Sequence, residues 1–481
     1  MKSIIEGTAM HAYAQYARHL LLGAALVAFG GCATFSGDGG FDAVETAARE
    51  RLGKAVRWTR TDDDASSPAA EVQRLLAGPL AVDDAIQIAL LNNRGLQATY
   101  AELGIAEADL VQAGRLTNPH FSYLRTSHEG ERKLEWTLTF PVIDLITMPL
   151  RRRMEARRFE EVKLTVAAAT IALALDTRKA WYEAVAAEEA VRYLQQVKET
   201  AEAGTELARR MATLGNATRL TQMREHVFYA ETVAQLARAR QAALSQRERL
   251  ARLMGLSGSM AYRLPERLPD LPPSAAQPGD IAGVLADRRY DIQAAKHATE
   301  SVAASLGLSK VTRFVSVLDF GPAATKEDPE PWKRGFEVSL QIPLFDWGAA
   351  RVAKAEALYM QSVQRLARTV NDAESETRER YAAYRTAYDT ARHYRDEIVP
   401  LRKKISDETL LRYNGMLIGV FELLADAREQ VAAVNAAIEA ARDYWIAETE
   451  LQAALNGIAT AAGERRTAST RAASTVSAGG H

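Results

Sequence analysis

The sequence has a single cysteine, Cys32, so no disulfide can form within the chain. Aromatic residues make up only 7%, and no proline falls between Pro149 and Pro265. Neither sign of charge is in surplus: 60 Lys and Arg stand against 61 Asp and Glu, a net charge of -1 over 481 residues. That balance argues against a nucleic-acid partner, which needs a basic excess on some face. With 47% hydrophobic residues the chain is not an acidic disordered polymer either. Beyond the N-terminus no apolar run approaches the roughly 18 residues a membrane-spanning helix requires, which excludes a bundle of such helices. The histidines are scattered, among them His120, His128, His226, His297 and His393. None has the spacing of a metal site, and there is no GxSxG and no Walker loop. No cofactor, metal site or active site is indicated, so the sequence reads as a non-enzyme.

What is present begins with a short apolar core, residues 20–29, preceded by Arg18 and followed by Gly30-Gly31-Cys32. It is too short to span a bilayer and reads as the core of a secretory signal, residues 1–31. Small residues before a cysteine resemble the lipobox of bacterial lipoproteins, although Phe29 stands where leucine is usual. Cys32 is therefore the expected lipidation site. Ala33 after it, rather than Asp, implies delivery to the outer membrane for this lipoprotein class. Residues 32–79 are polar, with Gly and Ser clusters and Asp62-Asp63-Asp64, and read as a tether. Residues 458–481 lack periodicity and read as a disordered tail.

The body between them is duplicated. Leu134-Glu135-Trp136-Thr137-Leu138-Thr139-Phe140-Pro141 matches Phe336-Glu337-Val338-Ser339-Leu340-Gln341-Ile342-Pro343 in class at each position, and Asp144 lies over Asp346. Thr177-Arg178 parallels Thr377-Arg378 in the same order. These halves, 80–270 and 271–457, form an internal repeat. Strict alternation within the matched segments means strands with one apolar face. Glu135, Thr137, Thr139, Glu337, Ser339 and Gln341 share the other, polar face. Each strand follows a weaker one, predicting β-hairpins at about 119–142 and 312–345. In lipid, strands must close into a barrel of at least about eight. Four cannot close alone, whereas three chains supply twelve, with the polar side toward a wet lumen.

Between the hairpins lie very long helical stretches. Residues 150 to 214 would make a helix of roughly 100 Å. The expected helical hairpins cover about 150–256 and 348–456, with apolar residues at coiled-coil-like spacing. Pro400 and Gly204 should bend or weaken their helices shortly before the tips.

The order hairpin, helical hairpin, and the same again resembles the TolC-type outer-membrane efflux family, over about residues 80–457. Pro343-Leu344-Phe345-Asp346-Trp347-Gly348 is similar to the family's strand-to-helix turn. Arg288-Arg289-Tyr290-Asp291-Ile292-Gln293-Ala294-Ala295, and Arg412-Tyr413-Asn414-Gly415 leading to Leu423-Leu424-Ala425-Asp426-Ala427, carry the rest. Departures are Leu145-Ile146-Thr147 after Asp144, and Arg289-Tyr290 where Arg-Pro is commoner.

The resemblance implies a mainly α fold with a membrane β-barrel: a homotrimer whose twelve-stranded outer-membrane barrel continues as a periplasmic helical barrel. It implies a passive exit duct for a tripartite efflux system, RND-type or similar, with a periplasmic adaptor as direct partner and an inner-membrane pump as indirect one. Adaptor-contact tips would be Leu214, Gly215 and Asn216, and Leu417, Ile418, Gly419 and Val420. Glu422 and Asp426 match acidic positions that ring the closed periplasmic entrance. Two other readings are a periplasmic adaptor and a coiled-coil scaffold lipoprotein of the envelope.

Overall fold

The computed structural model describes residues 34–61, 66–128, 131–256, 262–276 and 288–458. The signal segment, Cys32 and the tail expected at 458–481, all but its first residue, lie outside the described residues. The described elements are mainly helical with one small antiparallel sheet. In chain order the first are α1 (Asp42–Leu52), α2 (Ser66–Leu76), α3 (Val82–Asn92), α4 (Arg94–Ala113), β1 (His120–His128), β2 (Glu131–Pro141), α5 (Val142–Thr213) and α6 (Arg219–Leu253). There follow α7 (Tyr290–Val311), β3 (Leu318–Glu327), β4 (Lys333–Leu340), α8 (Ala349–His393), α9 (Val399–Asn414) and α10 (Val420–Asn456). They belong to two compact units, one drawing on residues 102–163 and 294–367, the other on 41–101, 164–293 and 368 onward. Each unit takes segments from both halves of the repeat, so the duplication is not a division into two bodies.

The first unit holds the sheet, ordered β1-β2-β3-β4 and antiparallel throughout. The two hairpins are joined side by side through β2 and β3, with Trp136 opposite Ala324 and Phe140 opposite Phe320. Gly321 makes this seam possible. A Cβ there would lie 1.8 Å from the Leu138 carbonyl oxygen, so any side chain would push the strands apart. β4 stops at Leu340, short of the expected 345, because Pro343 has no N–H to continue a ladder.

Helix α5 starts at Val142, directly from β2 and ahead of the expected 150, and contains Pro149. Side chains cover carbonyls in this first stretch. The Thr147 hydroxyl donates to the Ile143 carbonyl at 2.8 Å and the Arg151 guanidinium to that of Asp144 at 2.8 Å. Pro149 removes only the helical bond to the Leu145 carbonyl, and α5 continues through it. Asp144 adds a favourable negative charge to the first turn. Its repeat counterpart Asp346 instead accepts the Gly348 N–H at 2.8 Å, and Gly348 takes φ +72° to turn into α8.

In the second unit, residues 164–213 of α5 rise about 75 Å at the usual helical pitch before α6 returns antiparallel to them. The second helical hairpin is α8, a π-helical turn (Tyr394–Ile398), α9, and α10 returning. Pro400, expected to disturb its helix, occupies the first turn of α9. The widened turn lies just upstream, with the Val399 N–H reaching back to the Tyr394 carbonyl.

The core of this unit packs Leu80, Ile88, Trp181, Val185, Leu250 and Met254, all essentially buried. Trp181 satisfies its indole N–H on the Leu80 carbonyl at 2.9 Å. A second cluster packs Tyr384 and Tyr388 against Tyr444, tilted and edge-on, between the helices of the other hairpin. The two return helices end alike. Gly255 and Gly457 adopt φ +65° and +67°, and the next residues, Leu256 and Ile458, donate to carbonyls five back at 2.9 Å each. This is the Schellman ending that glycine allows. Asn92 caps the first end through its side-chain amide, and buried Arg289 caps the second through the Ala454 carbonyl at 2.8 Å. The duplication thus extends to how each helix is stopped.

Candidate functional site

Cross-strand partners share a face, so the register assigns every strand side chain in the first unit to one of two faces. One carries Phe121 and Tyr123, then Leu134, Trp136, Leu138 and Phe140, then Phe320, Phe336, Val338 and Leu340. These side chains are largely bare. Phe121 is 62% exposed, Phe336 73% and Val338 54%. A soluble sheet buries such a face, and an uncovered apolar patch of this extent marks an interaction surface.

The opposite face carries Glu135, Thr137, Thr139, Glu337 and Ser339, as alternation predicted from the sequence. Lys133 lies among them, 2.7 Å from Glu135 and 3.7 Å from Glu327. Gln341 falls just past β4, where its side-chain oxygen accepts from the Ser316 hydroxyl at 2.6 Å. Among the described residues, β1 and β4 each pair with one strand only, leaving two open edges. Open edges present unpaired N–H and C=O groups, a template for further strands.

In the second unit the two helical tips are built on one plan with one exchange. At the first, Gly215 takes φ +77°, the Asn216 N–H donates to the Met211 carbonyl at 2.9 Å, and Leu214 is 75% exposed. At the second, Met416 rather than a glycine takes the left-handed position, φ 60°, and the Leu417 N–H donates to the Arg412 carbonyl at 2.9 Å. Gly419 occupies the N-cap of α10 in extended conformation, where Thr218 caps α6 with its hydroxyl. Ile418 and Val420 are half-buried beside it, and Leu417 is exposed. On α5 near the first tip, Arg209 and Arg210 each hydrogen-bond Glu206 and hold its carboxyl down at about 2.

Glu422 lies exposed in the first turn of α10. Asp426 is half-buried, and one of its carboxylate oxygens is buried with no hydrogen-bond partner among the described residues. Sequence reasoning did not find the acid that packs deepest here. Glu225 on α6 is 4% exposed and pairs with Arg428 of α10 at 2.8 Å, while the Arg428 guanidinium lies 4.5 Å over the Phe228 ring. The Thr205 hydroxyl of α5 donates to the Glu225 backbone carbonyl at 3.0 Å. Arg428 is 203 residues from Glu225, and only packing of the two helical hairpins unites them. Among the described residues no cluster of potential ligands could hold a metal ion.

No protein-family model and no curated protein matches the sequence. Solved structures do match the fold. The CmeC outer membrane channel of Campylobacter jejuni superposes with a TM-score of 0.67 at 14% identity, covering 89% of this chain and 94% of that one. The chain has the TolC-type fold. The MtrE outer membrane channel of Neisseria gonorrhoeae, solved in an open state, gives 0.64 at 21% identity, covering 78% and 89%. The VceC outer membrane protein of Vibrio cholerae gives 0.64 at 16%, covering 78% and 96%. Within this fold, two features depart from an ordinary buried core. One is a bare apolar sheet face between open edges; the other is a pair of tips beside a buried carboxylate.

Proposed function

We propose that three copies of this chain form an outer-membrane channel, the passive exit duct of a tripartite efflux system. The observation that carries this reading is the sheet: four strands, two open edges, and a bare face that gathers the large apolar side chains other than Leu124. In lipid every backbone group must be paired, so open strands persist only when neighbours close them into a barrel. Twelve strands from three chains do so, and the apolar face then meets lipid. Glu135, Thr137, Thr139, Glu337, Ser339 and Gln341 line the water-filled interior. The solved channels of the same fold support the reading.

The helical hairpins extend into the periplasm of a Gram-negative cell. Leu214, Gly215, Asn216, Leu417, Ile418, Gly419 and Val420 meet a periplasmic adaptor, which links the duct to an inner-membrane pump of RND or similar type. Exposed Leu214 and Leu417 supply apolar contact, and the glycines allow close backbone approach. Glu422 and Asp426 from three chains ring the entrance. Cys32 carries an acyl anchor. The duct does no chemistry, and the pump supplies energy and selects the cargo.

The test is reconstitution of detergent-purified protein into planar lipid bilayers. The reading expects discrete, long-lived conductance steps, and their charge selectivity should change when Glu135 and Glu337 are both replaced by glutamine. Protein that inserts without conducting contradicts it.

A further inference from the structure

The charges on the two faces of the sheet are segregated in a way that lipid exposure alone does not require. The polar face carries Glu131, Glu135, Asp319, Glu327 and Glu337 together with Lys133 and Lys333. Every charged strand residue on the apolar face is a cation: Arg125, Arg132, Lys326 and Arg334. All four lie at the end of the sheet that bears the hairpin turns. Arg125 and Lys326 flank Leu134 in one row, Arg132 lies in the next row toward the β1–β2 turn, and Arg334 lies one row inward, opposite Ala324. The other end of this face, with Phe121, Phe140, Phe320 and Leu340, carries no charge.

Four adjacent strands at the usual spacing cover about 14 Å, so the cations form one patch rather than isolated charges. Among the described residues Arg125, Arg132 and Arg334 make no ion pair, and Lys326 reaches only Asp328 of the turn, at 3.3 Å. Tyr123 and Trp136 lie in the same row as Arg334, directly inward of Arg125 and Lys326, at the position of an interfacial aromatic girdle.

Resting on the channel reading, we propose that this patch binds the phosphate groups of outer-leaflet lipid A. In that reading the turn end faces outward, because the strands run from the other end into periplasmic helices. The cations therefore lie at headgroup depth in the outer leaflet, next to the aromatic row. Guanidinium groups match phosphate with paired N–H donors, and three of the four cations are arginines. The acids within the strands are on the far face, and Asp328 of the turn engages Lys326 alone.

The test uses the full-length protein in detergent micelles doped with lipid A or with phosphatidylethanolamine, followed by native mass spectrometry of retained lipid. Wild type should retain lipid A in preference to phosphatidylethanolamine. R125Q/R132Q/K326Q/R334Q should lower lipid A retention by at least about tenfold. R125K/R132K/R334K keeps the charge and should retain it, which separates lost charge from lost folding. K133Q/K333Q, on the polar face, should also retain it. Equal retention by the quadruple glutamine variant overturns the proposal, as does equal loss in K133Q/K333Q. Conductance of the wild type in planar bilayers reports separately on the duct. A conducting protein that retains no lipid A removes this inference alone, whereas an inserted, silent one removes the channel reading.

Discussion

The Glu225–Arg428 pair makes a quantitative test of how the two helical hairpins hold together. The carboxylate side chain is 6% exposed and the guanidinium 32%. Arg428→Met leaves that carboxylate buried without its partner, which costs about 3–5 kcal/mol for a fully buried pair. Because Arg428 keeps a third of its surface in water, the lower end applies, about 3 kcal/mol. That corresponds to roughly a hundredfold rise in local opening. Glu225→Gln keeps an acceptor oxygen toward Arg428 and should cost only about 1 kcal/mol. Glu225→Leu with Arg428→Met removes both polar groups and should lie within about 1 kcal/mol of wild type. Hydrogen exchange read by mass spectrometry over residues 219–232 and 420–432 measures each opening. If the double variant exchanges as fast as the product of the two single removals predicts, the pair is not coupled and the reasoning fails.

Other consequences concern single positions. Met416 holds φ 60° where the first tip has glycine, so Met416→Gly should stabilise the second tip by about 0.5–1 kcal/mol; slowed exchange over 410–417 is the readout, and faster exchange contradicts it. Gly321→Val should prevent accumulation of folded protein in membranes, since its Cβ would strike the Leu138 carbonyl, whereas Gly335→Ala, with open space around it, should be tolerated; membrane yields compare the two. Burial pushes the Glu448 carboxyl above its ordinary 4.5. It therefore holds its proton more tightly folded than unfolded, and a penalty sets in as pH rises from about 4.5 through the folded value. Glu448→Gln should accordingly raise the thermal midpoint at pH 8 and leave it unchanged at pH 4; a gain of equal size at both contradicts this.

Much of this was legible because the relevant signals are local. Alternation in Leu134 to Phe140 and in Phe336 to Ile342 placed the polar and apolar faces without knowledge of strand pairing, since period two depends only on backbone geometry. The helical hairpins were visible because proline and glycine are scarce there. What escaped depends on partners distant in sequence. Nothing in Gly321 or Leu138 announces that β2 and β3 lie side by side; the seam shows only once the register brings a carbonyl under the glycine. Nothing local marks Glu225 as a buried acid; α10 delivers Arg428 to it from 203 residues away. Pro149 argued for a later helix start than Val142, but a missing N–H costs a helix only one bond, and α5 runs through it. Met416 in the left-handed position was equally hidden, with Gly415 and Gly419 beside it as better candidates for the turn.

Everything functional rests on the open edges of β1 and β4 being closed by neighbouring copies. Native mass spectrometry of the protein extracted from membranes in detergent tests this most directly. The account predicts one dominant particle containing three chains, which precipitates when detergent is withdrawn. A single-chain particle that stays dissolved without detergent would contradict it.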